Sequence, residues 1–87
     1  MPKKVDHYIY INMQKSEFKK VFSRKLKEAR RRSNYTQSGF ATALRDTGLR
    51  IAFSTYSNHE QGRSLPDTYT LFVINKLLGI NVLDVDA

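Results

Sequence analysis

The chain has 87 residues, 40% of them hydrophobic and 11% aromatic, and its fifteen Lys/Arg against eight Asp/Glu give a formal net charge of +7. A chain of this length makes one small domain and buries only about 60–65% of its unfolded surface, so neither a deep, dry catalytic cleft nor an enzyme is expected. The absence of cysteine excludes disulfides, thiol chemistry and cysteine-ligated zinc. His7 and His59 stand far apart, so no metal or cofactor site is expected. No apolar run approaches the ~18–20 residues of a membrane span, and no charged start leads into an apolar signal core. A cytoplasmic chain without a membrane partner is the expectation.

Residues 1–15 read as an extension to a domain over 16–87. Val5, His7, Ile9, Ile11 and Met13 alternate with Asp6, Tyr8, Tyr10 and Asn12, a period of two that suits a short β-strand. A lone strand leaves its backbone groups unpaired, so it would need a partner such as a second copy of the chain. A frayed terminus fits the same residues equally well.

From Ser16 the period becomes helical. Phe18, Val21, Phe22, the stem of Lys25, Leu26 and Ala29 form one stripe, which predicts a helix over 17–32 with Ser16 as its cap. Thr36 caps a second, shorter helix with Phe40, Ala41 and Leu44 inside, and Thr47-Gly48 breaks it. A third element starts at Ile51, turns Tyr56 and His59 inward, and stops at Gly62. Pro66-Asp67 opens a fourth helix through Leu71, Phe72, Ile74, Leu77 and Leu78 to Gly79. Ile80, Val82, Leu83 and Val85 form an apolar tail, with room for a fifth helical turn. Four or five short helices with brief links predict a compact all-α domain.

The charge is unevenly placed. Residues 1–50 hold thirteen Lys/Arg against four Asp/Glu, whereas residues 51–87 hold two, Arg63 and Lys76, against four. The density is greatest between Lys15 and Arg32. Such a face attracts polyanions such as DNA, RNA or anionic lipid, although an ordinary solvated helix surface accounts for the charge alone equally well.

Tyr35-Thr36-Gln37, Ala41, Leu44, the run from Ser54 to Gly62, and Pro66 together resemble the lambda-repressor-like (Cro/cI, XRE) helix-turn-helix family. The resemblance extends through Ile80-Asn81-Val82-Leu83-Asp84 and covers roughly residues 18–86. It implies a four- to five-helix DNA-binding domain whose third helix reads bases in the major groove. Ser54, Thr55, Ser57 and Asn58 are short, polar and uncharged, which suits base edges, and Phe53 can pack on a thymine methyl. Thr36 and Gln37 stand at a helix N-terminus, where backbone N–H groups favour a phosphate. Lys19, Arg45, Arg50 and Arg63 are the further phosphate candidates. The resemblance also implies an ion pair between Glu60 and Arg30 that locks the third helix to the first.

Three features depart from the family. Gly39 stands where a Glu usually completes the capping box. The link from Leu44 to Phe53 holds eight residues, against ~3–4 in a typical helix-turn-helix. Ala52 replaces a capping Ser or Thr, which points to a helix start at Ser54. The function expected is a transcriptional regulator, repressor or autoregulator, nucleoid-associated and bound as a homodimer to near-palindromic double-stranded DNA. Ile80, Val82, Leu83 and Val85 are the expected dimer surface, with Val73 and Tyr69 as exposed alternatives. Within this class an antitoxin or a restriction–modification controller fits as well, and residues 1–15 are the spare segment for a protein partner such as a toxin. The rival from another class is an interaction module whose basic first helix docks an acidic partner.

Overall fold

An apolar stripe running from Phe18 to Ala29, with good helix formers between, commits the first long segment to a helix. A computed structural model describes residues 13–87 of the chain. Its elements in order are α1 (Lys15–Arg32), α2 (Gln37–Asp46), α3 (Phe53–Glu60), α4 (Thr68–Leu78) and a 3-10 turn at Val82–Asp84. The described residues form a compact all-helical domain and contain no strand. The strand read over residues 5–13 lies, but for Met13, outside the described residues.

Local signals set most helix ends. Thr36 Oγ1 accepts the Gly39 N–H at 3.0 Å and Asp67 Oδ1 accepts the Thr70 N–H at 2.7 Å, each satisfying a first-turn donor. Hydrogen bonds from Thr70, its backbone N–H above all, hold the Asp67 carboxyl below its ordinary range. Gly79 ends α4 at φ +72°. Gly39, which breaks the capping box, has a compensating fit: a Cβ there would come within 2.8 Å of the capping Thr36 oxygen. Thr36→Ala is expected to lower stability by about 1 kcal/mol, read from the midpoint of urea unfolding; an unchanged midpoint would refute a capping role.

Two expected starts are corrected. The first helix begins at Lys15 with Gln14 as its N-cap and no side-chain cap, so Ser16 lies inside the first turn. The third begins at Phe53, again without a side-chain cap, because Ala52 offers no oxygen. With α2 extending to Asp46, six link residues remain, 47–52. Gly48 turns the chain at φ +98°, and buried Ile51 anchors the link in the core.

The core gathers Phe22, Leu26 and Ala29 from α1, Phe40, Ala41 and Leu44 from α2, Tyr56 from α3, and Val73 and Ile74 from α4. Phe40 is its aromatic centre, with ring centroids 5.1 Å from Tyr35 and 5.5 Å from Tyr56. α1 packs on α3 and on the 3-10 turn, and α2 packs on α3 and α4.

The apolar tail is the main correction. Val82 is 0% exposed and Val85 5%, both within this core, and Leu83 is half-buried against it. They are not a free dimer surface; of the four expected residues only Ile80 is exposed. Hydrogen bonds fold the tail inward. Asn75 Oδ1 accepts the Val82 N–H at 3.0 Å and Asn81 Oδ1 that of Leu83 at 3.1 Å. From α1, Lys25 Nζ donates to the Val85 carbonyl at 2.5 Å and Arg32 Nη2 to that of Asp86 at 2.9 Å. Val73, taken as exposed, is likewise buried, while Tyr69 does face outward.

Candidate nucleic-acid interface

α3 divides its residues between two faces. Tyr56, His59 and Glu60, spaced i, i+3 and i+4, are buried. Phe53, Ser54 and Thr55 are exposed, and Ser57 and Asn58 are half-buried. The outward side is thus short, polar and uncharged, with one aromatic ring at its N-terminal end.

What holds that face in place is a buried polar network centred on Glu60, whose side chain is 1% exposed. Arg30 Nε donates to Oε2 at 2.6 Å and Arg30 Nη2 to Oε1 at 3.0 Å, the two-pronged geometry that a guanidinium and a carboxylate share. The Tyr56 hydroxyl also donates to Oε2, and Gln37 Nε2 donates to Oε1 at 3.2 Å. Arg30 Nη1 donates to the Tyr35 carbonyl at 2.8 Å. One carboxylate therefore joins α1, the start of α2 and α3. The hydrogen bond to Glu60 raises the Arg30 pKa above its ordinary value. Burial, reinforced by the bond to Glu60, pushes Tyr56 far above the ordinary phenol range, so its hydroxyl stays a donor.

This arrangement corrects the placing of Gln37. Its amide turns inward to Glu60, where it braces the network, instead of pointing to solvent. Thr36 is exposed, but its oxygen is engaged as the α2 cap. Arg45, Arg50 and Arg63 are exposed, and Lys19 is half-buried on α1. The Arg63 N–H donates to the Asn58 carbonyl at 3.0 Å, just past Gly62 at φ +76°. That φ is one L side chains rarely adopt, and a Cβ on Gly62 would also crowd Ser23 Oγ at 3.3 Å, so glycine suits this turn against α1.

One residue escaped the sequence reading. Gln61, exposed at the end of α3, donates from Nε2 to Ser57 Oγ at 2.8 Å and extends the polar face. Its i+4 spacing from Ser57 is the available signal. His59 Nδ1 lies 3.0 Å from Ser64 Oγ and 3.1 Å from the Ser64 carbonyl oxygen, which ties α3 to the segment before α4. Among the described residues no cluster of His, Asp and Glu suits a metal, and no helix is long and apolar enough to cross a membrane. No family model, no curated protein and no solved structure matches the chain.

Proposed function

We propose that the chain is a sequence-specific DNA-binding transcriptional regulator, a repressor or autoregulator, in which α2 and α3 act as a helix-turn-helix of lambda-repressor-like type. The observation that carries this reading is the outward face of α3. In a chain of net charge +7, Ser54, Thr55, Ser57 and Asn58 form an uncharged polar surface braced from behind by the Glu60 network. Hydroxyl and amide groups of this size match base edges in a major groove, and an Asn pairs bidentately with adenine. Lys19, Arg45, Arg50 and Arg63 supply affinity through phosphates, and α3 selects the sequence. A single helix of eight residues reads few base pairs, so two copies on a near-palindromic site, about 34 Å apart, give useful specificity.

Footprinting on the DNA upstream of the gene that encodes the chain tests the reading, with a protected, near-symmetric site as the expected result. On that site Asn58→Ala is expected to cost about 1–3 kcal/mol and to relax the choice at one base position. Arg63→Ala is expected to weaken operator and random DNA alike and to lower the salt slope by about 1. Equal losses on both DNAs for both variants would remove α3 as the reader.

A further inference from the structure

α1 carries nine Lys/Arg against two Glu, and its cations divide by direction. Arg30 is tied to Glu60, Arg32 to Glu28 and the Asp86 carbonyl, and Lys25 to the Val85 carbonyl. Lys20, Arg24, Lys27 and Arg31 are exposed, and among the described residues none of them has a carboxylate within ion-pair distance. Their spacings of four, three and four residues set them in one straight row about 16 Å long. Like charges at those spacings weaken the helix that carries them. The row therefore does nothing for α1 itself and is a surface for something outside the domain.

Direction separates the row from the reading face. The side of α1 that meets the end of α3 carries Ser23 and Arg30, beside Gly62 and Glu60. At about 100° per residue, the row lies on average about a quarter turn round the helix from Arg30. α3 turns Glu60 towards Arg30, and Ser54 and Asn58 to its other side. A straight duplex on α3 thus stands across that helix from α1 and leaves the row open.

Chemistry selects the occupant. Phe22, Leu26 and Ala29 of α1 are spent in the core, so the row has no apolar neighbour to sink into a bilayer, as an interfacial helix has. Duplex DNA presents a charge about every 1.7 Å of its axis, and a straight row of cations meets it whatever its sequence. We infer that Lys20, Arg24, Lys27 and Arg31 form a second, sequence-independent DNA-binding surface, through which a chain seated on its site by α3 also holds another duplex segment. That DNA is the polyanion rests on the DNA-binding reading, while the row itself is drawn from exposure, spacing and charge.

A capture experiment tests the second surface. DNA from upstream of the encoding gene is fixed to beads, saturated with the full chain and offered a fluorescent duplex of random sequence. Capture of that duplex is expected, weakening roughly 100-fold between about 50 and 200 mM salt, as release of about four counterions requires. Lys20→Gln, Arg24→Gln, Lys27→Gln and Arg31→Gln together should still load the beads but lower capture about tenfold or more. All four side chains are exposed, so the far-ultraviolet circular dichroism should match that of the unsubstituted chain. Lys20→Gln with Arg24→Gln is the milder second variant and is expected to act in the same direction. Arg24→Lys with Arg31→Lys keeps the charge and should keep the capture. Loaded beads that capture nothing, or capture indifferent to the Gln variants, overturn the second surface and leave α3 as the reader. Binding to phosphatidylglycerol vesicles without capture of a duplex overturns it in favour of lipid. Equal loading on upstream and random DNA sinks the sequence-specific reading, while capture lost in the Gln variants still upholds the surface.

Discussion

Replacing Glu60 by Ala is expected to cost about 3–5 kcal/mol of folding stability, because it strands a guanidinium and a phenol that the carboxylate now satisfies. Arg30 is only 11% exposed on its side chain and cannot recover full hydration without moving α1 away from α3. Gln37 loses its acceptor as well. Set against the 5–15 kcal/mol typical of a whole domain, the loss removes a large part of the total. In a domain of this size each kcal/mol moves Tm by roughly 4–8 °C, so the melting midpoint should fall by at least about 12 °C. Thermal and urea melts followed by circular dichroism would measure it. The combined change Arg30→Met, Glu60→Leu and Tyr56→Phe should restore much of the loss, since it leaves neither a buried charge nor the buried Tyr56 hydroxyl unmatched. A loss under about 1 kcal/mol for Glu60→Ala would mean that the network positions α3 without stabilising it.

The second large effect is expected at Phe40. The residue is 0% exposed and meets Tyr35 edge-on and Tyr56 at a tilt. Phe40→Ala removes a buried ring and leaves a cavity between α2 and α3, at a cost of about 3–5 kcal/mol. Loss of the ring pairs adds to the area term, at about 0.5–1.5 kcal/mol for each. Urea unfolding should show a much lower midpoint at nearly unchanged slope, whereas Phe40→Leu, which keeps most of the apolar volume, should lose less than half as much. Equal losses for the two variants would show that ring geometry, not volume, governs this part of the core.

How much of this was legible in the sequence depended on the strength of each local signal. The stripe from Phe18 to Ala29, the oxygens of Thr36 and Asp67, and the stops at Gly62 and Gly79 placed four helices to within two residues, because periodicity and capping act over one or two turns. Contacts between distant segments left weaker traces. α4 is apolar almost all round, through Tyr69, Leu71, Phe72, Val73, Ile74, Leu77 and Leu78, so its pattern does not say which side turns inward; Val73 is buried and Phe72 is not. The tail has too few residues for a period, so its burial follows from hydrogen bonds with Asn75 and Lys25 that no local pattern announces. The outward polar residues of α3 were legible by composition. The inward turn of Gln37 was not, since a long amide at a helix start reaches a phosphate or a buried carboxylate with the same few torsions.

The clasp between α1 and the tail has a consequence for how the chain acquires its structure. Lys25 holds the carbonyl of Val85 across 60 residues of sequence, and Val82 closes over α1 from the same end. On the ribosome the apolar stripe of α1 is made well before the turn at Val82–Asp84 that packs against it. Contacts this far apart in sequence set a slow loop closure against the quick formation of individual helices. Until that closure the part of α1 that packs on this turn stays uncovered beside a dense cationic surface.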